Sequence, residues 1–447
     1  YGKALPEFLA IEHTAQYKDI VPYYIIQIYY AQQQYDEVYE RAEYLLSHQP
    51  KNENNPELHR MLGEIYYQES QYDKAVEHLS EYEKVASGQK KQLVRNDMYL
   101  LGMSYYQLQQ YENAIRYLNK IKKEEDALTE NTCYHLGNAY QKTGQPEQAK
   151  MAYSTVLRIG KDETLREEAM YNYALTTYQS SSALGESVNA FTEFLNTYPQ
   201  SRYREQVYAL LCDVFMSSKN YAAALESAEK ISNPSSQMRG TMQYLRYQLG
   251  SDAYMQGQYK EAEKWLTEVI SNPEPSSSSY VTESYYLRAE CAYKEADYAK
   301  SEADLKSFLQ QTDSKKSSNY NAALYAMAYT QFAQKRYADS RSSFERFVET
   351  EKDNQSLLAD ALNRIGDCYF NQRDFVKAES YYAKVIAMGS QGADYALFQR
   401  GYALGLLKKH SDKVNVLQKL VKQYPKSDYA DDALYEMARA YLQLNNN

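Results

Sequence analysis

Four cysteines, six histidines and a surplus of carboxylates are the residues with enough reactivity to build a catalytic or metal centre. Cys133, Cys212, Cys291 and Cys368 are widely and almost evenly spaced, so no Cys-x-x-Cys pair exists. His13, His48, His59, His78, His135 and His410 are scattered, with no His-Glu-x-x-His pair and no glycine-rich phosphate loop. The 59 acidic against 50 basic residues leave a net charge of −9, but no spacing singles out a carboxylate pair for acid–base work. These patterns argue against an enzyme and against a resident cofactor or metal. Tyrosine is abundant instead, at 50 of 447 residues, and its spacing is regular.

That regularity belongs to a longer pattern. A small residue is followed twelve positions later by Ala or Ser, then by large apolar residues four and seven positions beyond. Clear copies are Gly63/Ala75/Leu79/Tyr82, Gly102/Ala114/Leu118/Ile121, Gly137/Ala149/Tyr153/Val156, Gly250/Ala262/Leu266/Val269 and Gly366/Ala378/Tyr382/Val385. Degenerate copies centre on Ile26, Ala174, Cys212, Ala289, Ala328, Gly401 and Ala438, and the interval between successive sites is nearly constant. A fixed period of roughly 20–50 residues marks a repeat array. Gly or Ala at ten of the twelve first sites lets a neighbouring helix approach closely. The Ala or Ser and the residues four and seven beyond it form one stripe of a second helix. Neither helix buries its stripe alone, so each hairpin needs its neighbours. The expected fold is all-α, an α-α superhelix of about twelve helical hairpins running as one continuous array over residues 1–447. Two repeats separate each cysteine from the next. With packed helices about 8–10 Å apart, no pair comes within the roughly 7 Å needed for a disulfide. All four fall in first helices and read as small buried apolar groups.

The first helices carry Leu-Gly-x-x-Tyr at Leu62–Tyr66, Leu101–Tyr105 and Leu136–Tyr140. Second helices open Tyr-x-x-Ala at Tyr72–Ala75, Tyr111–Ala114, Tyr221–Ala224 and Tyr259–Ala262, and a closing proline stands at Pro50, Pro199 and Pro425. This pattern resembles the tetratricopeptide repeat (TPR) over essentially the whole chain. The period is longer than the usual one of that family, and the extra residues fall mostly in inter-repeat loops such as 271–279, 312–319 and 51–56. An insertion at 180–185 lengthens one hairpin turn instead. Two junctions, Phe194-Leu-Asn-Thr-Tyr-Pro-Gln-Ser-Arg-Tyr203 and Leu420-Val-Lys-Gln-Tyr-Pro-Lys-Ser-Asp-Tyr-Ala-Asp-Asp-Ala-Leu-Tyr435, are similar to those of Gram-negative envelope TPR proteins. The periplasmic TPR component of the Tol–Pal system and the TPR lipoprotein of the barrel-assembly machine are similar proteins of this kind. The resemblance implies a scaffold in the periplasm or cell envelope, with the cytoplasm as the alternative.

Tyr1, Ala4, Phe8 and Ile11 reproduce a second helix, while Ala438 and Tyr441 belong to a first helix. The array is therefore expected to be a piece of a longer one. No apolar run reaches the roughly 18 residues of a membrane span. The most apolar stretch, 21–31, is interrupted by Pro22 and Gln27.

A binding surface is the remaining source of function. In each first helix the residues six and three before the small site, and one and four after it, share one stripe. The site three before is aromatic in nine of twelve repeats, including Tyr99, Tyr134, Tyr171, Tyr247, Tyr286 and Tyr325. The site four after is aromatic in eight, including Tyr67, Tyr106, Tyr178, Tyr254, Tyr293 and Phe332. The other two sites hold Glu57, Glu64, Glu168, Asp213, Glu283, Glu290, Asp360, Asp367 and Asp432 against one base, Arg439. The resemblance implies that this stripe lines the concave, ligand-binding face. An acidic face disfavours nucleic acid, whose binding needs clustered Lys and Arg. It favours a neutral or basic polypeptide. The competing reading is structural: tyrosines pack between repeats, and acids near helix starts complement the helix dipole. TPR proteins that hold a terminal carboxylate use Lys and Arg on this stripe, whereas here the only base three before a small site is Arg60, one turn from Glu64. The sequence thus points to a non-enzymatic protein-binding scaffold. The alternatives are a glycan-binding envelope protein, or the targeting arm of an enzyme whose catalytic domain lies elsewhere. Thiol titration of the denatured chain without reductant should find four free cysteines; two or fewer would mean disulfides.

Overall fold

The computed structural model describes residues 2–88, 93–121, 124–180, 183–275 and 278–445. Tyr1, Ser181 and Ser182 of the lengthened turn, and Ser276 and Ser277 of the serine-rich loop lie outside the described residues. Among those described there are 24 α-helices and no strand. None is long and apolar enough to cross a membrane. The chain groups into two units, Tyr1–Val214 and Phe215–Asn447. The first contains five complete hairpins, from Val21–Ala31/Tyr35–His48 to Glu163–Ser180/Leu184–Thr197. The second also contains five, from Ser236–Met255/Tyr259–Ser271 to Ala393–Leu406/His410–Gln423.

Each hairpin closes on the small residue. A Cβ placed on Gly63 would lie 2.6 Å from Leu79 Cγ, on Gly102 2.7 Å from Leu118 Cδ2, and on Gly137 2.5 Å from Tyr153 Cε1. The same relation holds at Gly250 against Leu266, Gly366 against Tyr382 and Gly401 against Leu417. The partner is always the residue sixteen positions on, the third site of the repeat. The second site is sealed behind it, with Ala75, Ala114, Ala149, Ala262 and Ala378 wholly inaccessible. Where that site holds Lys413, the side chain is still buried and its ammonium pairs with Glu436. Ala438 is exposed, lying in the last helix, Ala430–Asn445.

The turns are equally regular, in a way that composition conceals. The residue seven after the small site is left-handed in both units: Gln33, Ser70, Gln109, Ala296, Lys335, Arg373 and Lys408 have φ of 58–64°, and Gly144 and Gly257 have φ of 70° and 74°. The next residue's N–H then bonds back to the carbonyl five residues earlier, as from Gln71 to Tyr66, Gln110 to Tyr105 and Asp374 to Tyr369. This is the Schellman arrangement, which satisfies carbonyls that a helix end leaves free. Side chains cap several starts, Asp126 accepting from Thr129 N at 2.8 Å and Asp374 from Lys377 N at 3.2 Å. Pro50, Pro199 and Pro425 each stand two residues past a helix end, where the missing N–H costs nothing.

First helices of neighbouring repeats also touch directly. Asn55–Gln68, Arg95–Gln107, Ala127–Lys142 and Glu163–Ser180 form such a row in the first unit; Ser236–Met255, Ser278–Lys294 and Tyr320–Ala333 do so in the second. Among the described residues, second helices make no comparable contact with one another. The tyrosine stripe therefore lies on the more closely spaced layer of each unit.

The four cysteines sit in first helices, buried and unbridged. Burial raises the Cys212 and Cys368 thiols to about 11 and the Cys291 thiol to about 12, so they are poor nucleophiles. Gly102→Leu or Gly137→Leu should destabilise the protein by more than about 2 kcal/mol in urea unfolding, through overpacking. Gln109→Gly should stabilise it by ~0.5–1 kcal/mol, because a left-handed non-glycine residue carries roughly 1–2 kcal/mol of strain.

Candidate binding cleft

The stripe tyrosines are neither core nor free surface: every one of those singled out above is half-buried. Those three before the small site reach into the following repeat. Tyr99 donates to Asn131 at 2.8 Å, Tyr134 to Glu168 at 2.6 Å, Tyr171 to Gln206 at 3.3 Å and Tyr325 to Asp360 at 2.6 Å. Each acceptor is the residue six before the next small site, so the four bonds repeat one inter-repeat link. The aromatics four after the small site face their own turn. Tyr67 packs on Tyr72, Tyr106 on Tyr111, Tyr254 on Tyr259, Tyr293 on Tyr298 and Phe332 on Tyr337, with centroids 5.4–6.0 Å apart. Tyr178 lies against Phe191, and Tyr247 against Tyr280. The junction motif explains itself similarly. The tyrosine two after its serine stacks on the aromatic of the preceding first helix, Tyr203 on Tyr171 at 4.2 Å and Tyr429 on Phe398 at 5.4 Å. The motif serine accepts from the N–H two residues on in both copies.

The acids are mostly engaged as well. Arg60 takes Glu57 through two nitrogens and Glu64 through a third, leaving no free guanidinium to grip a terminal carboxylate. Glu168 pairs with Arg202, and Glu283 accepts from Asn319 at 2.8 Å. Asp213 is exposed. Asp367 must be corrected: it is only 6% exposed and cannot meet a partner. It accepts from Tyr382 and Tyr395, each at 2.8 Å, and pairs with Arg364 at 2.6 Å. Asp360 accepts from Tyr325 and Tyr329 and faces the same Arg364 at 3.6 Å. Here the structural role of the stripe prevails, because the partners of Asp360 and Asp367 already satisfy their charge within the fold.

One place escapes this. Between Ser278–Lys294 and Tyr320–Ala333 an open cleft of about 410 Å³ is lined by Tyr286, Glu290, Tyr293, Tyr325 and Tyr329, with Ala322, Lys294 and Glu351 among the others. The position six before the small site, which supplies the acceptor as Asn131, Glu168, Gln206 and Asp360, is Ala322 here. Tyr286 makes no such inter-repeat bond among the described residues, and the missing side chain leaves the space. Tyr325 and Tyr329 stay fixed by Asp360 behind them. Burial pushes the Tyr286 and Tyr293 phenols upward, so both remain neutral donors. Burial also raises the Glu290 carboxyl, offset in part by Lys294 and Tyr254. Glu351 is held down by backbone N–H bonds from Asn354, Asp353 and Lys352.

Of the residues expected from spacing, Tyr286, Glu290, Tyr293 and Tyr325 thus converge. The rest stay distributed along the two units. Spacing did not single out Tyr329, which occupies a stripe position otherwise rich in acids, nor Ala322, Glu351, Phe347 or Leu357. The alanine was the readable signal, a small apolar residue in a column that mostly holds acids and amides.

Hairpins joined by a small-residue seam and a Schellman turn, stacked at a nearly fixed period, define a helical repeat array. Family models described as tetratricopeptide repeat match residues 130–161, 325–393 and 395–427. A model for anaphase-promoting complex, cyclosome, subunit 3 matches residues 31–121. The chain belongs to the tetratricopeptide repeat family. No protein of curated description matches it. Among solved structures, the TPR domain of P58(IPK) is 16% identical over 88% of this chain and 100% of that one, with a TM-score of 0.26. The C-terminal part of a TPR protein from Cytophaga hutchinsonii is 14% identical, covering 67% and 99%, with a TM-score of 0.33. One from Parabacteroides merdae is 16% identical, covering 61% and 98%, with a TM-score of 0.28. The family assignment rests on the repeat models and the hairpins.

Asp360→Ala should cost about 2 kcal/mol or more, since it strands two tyrosine hydroxyls and a guanidinium. Asp432→Ala, on an exposed position of the same column, should stay within about 0.5 kcal/mol in the same unfolding assay.

Proposed function

We propose that this chain is a non-catalytic scaffold that holds an extended polypeptide, neutral or basic, along the layer of first helices, with the Tyr286–Tyr325 cleft as a point of grip. One observation carries the reading: four tyrosines and the carboxylates Glu290 and Glu351 from adjacent repeats line an open cleft that internal bonding leaves unfilled. Open aromatic surface of this kind is where partner side chains gain most, because a tyrosine offers large contact area and a hydroxyl at low entropic cost. The acids already bonded to tyrosine and arginine do not contribute open charge. The attraction to basic partners is therefore local rather than spread over the whole face. The two Tyr-Pro-x-Ser-x-Tyr junctions support a place in the cell envelope.

Capture from envelope and cytosolic fractions of the source cells, compared with the Tyr286→Ala/Tyr293→Ala variant, tests this. The wild type should retain defined envelope polypeptides, and the variant should lose them roughly thirtyfold, since each of the two rings contributes on the order of 1 kcal/mol. Salt should weaken retention only modestly, because the cleft charge is half-buried. Binding to a glycan array, unaffected by salt and with no polypeptide retained, would replace this reading with glycan capture.

A further inference from the structure

Glu290 differs from the arginine-paired carboxylates of its stripe. Glu57 and Glu64 share Arg60, Glu168 has Arg202, and Asp360 and Asp367 share Arg364. Glu290 faces the cleft with no base within ion-pair distance among the described residues. Lys294 lines the same cleft one turn further on without pairing to it. Tyr286, Tyr293 and Tyr325 place three ring systems around the same space. A half-buried carboxylate lining an aromatic-walled cleft is the complement of a cation, which gains from the ring faces and from the charge together.

Building on the polypeptide-binding reading above, we propose that the cleft receives a cationic side chain of the bound polypeptide, arginine in preference to lysine, with its charge on Glu290 and its flat face against the tyrosine rings. Arginine is favoured because a planar, weakly hydrated guanidinium stacks on tyrosine and bonds a carboxylate through two nitrogens. An ammonium is more strongly hydrated and would lose more on entering. Glu351, on the far wall, adds a second negative charge that stays ionised because backbone N–H groups hold it.

The test uses the full chain on an array of random twelve-residue peptides, followed by titration of the best binders. Peptides retained by the wild type should be enriched in arginine. Replacing that arginine by citrulline, which keeps the shape and removes the charge, should weaken binding roughly tenfold, and by lysine less so. Glu290→Gln should weaken the arginine peptides to the same degree and abolish the preference over citrulline. Glu261→Gln, exposed on the second helix Tyr259–Ser271 and outside both stripe and cleft, should leave both unchanged. If peptides bind through Tyr286 and Tyr293 but ignore citrulline replacement and Glu290→Gln, this inference fails while the polypeptide reading stands. If no peptide binds, or binding survives Tyr286→Ala/Tyr293→Ala, the polypeptide reading fails and this inference falls with it.

Discussion

The distance at which the two helices of a hairpin can approach is the constraint on which the rest of the molecule depends. With no side chain at Gly63, Gly102, Gly137, Gly250, Gly366 or Gly401, the residue sixteen positions later occupies the space a Cβ would need. That contact sets the crossing of the pair and leaves a turn so short that its second residue must be left-handed, even where it is Gln, Lys or Arg. It also rotates the first helix so that its tyrosine stripe faces the next first helix. The strain of about 1–2 kcal/mol at each such turn is small beside the burial that the seam secures.

Repeat is joined to repeat by a different interaction. Tyrosine hydroxyls reach an acid or amide one repeat ahead, and arginines gather the carboxylates left over. In the second unit these links run on without a break: Tyr325 and Tyr329 meet at Asp360, Arg364 bridges Asp360 to Asp367, and Asp367 receives Tyr382 and Tyr395. Networks of this kind rigidify because each member leaves its neighbours unsatisfied if removed. The cleft lies at the end of that chain, where alanine replaces the acceptor. Its walls are therefore held from behind while its interior stays open, which is the condition for a preorganised binding site.

The repeat architecture was legible in the sequence because it is periodic. Small residue, alanine and two apolar positions recur at offsets that only a helical hairpin satisfies, and twelve copies average out the exceptions. Ile26, Cys212 and Lys413 break the residue rule yet keep their buried places, since position in the stripe, more than residue type, decides burial. The left-handed turns were not legible. Their residues are mostly ordinary polar ones, and the turn is imposed by helix approach rather than by local preference.

The stripe divides along the same line. Sequence alone determined which residues share a face, that the face is rich in tyrosine and acid, and that the cysteines lie too far apart to bridge. It could not say which acids are free, because that depends on partners in the next repeat or beyond the turn. Tertiary structure decided that Asp367 is buried, that Arg60 is fully taken, and that Glu290 faces an unfilled cleft. Helical periodicity specifies direction around an axis, whereas pairing depends on side chains brought together from different repeats, and only the stacked hairpins bring them together.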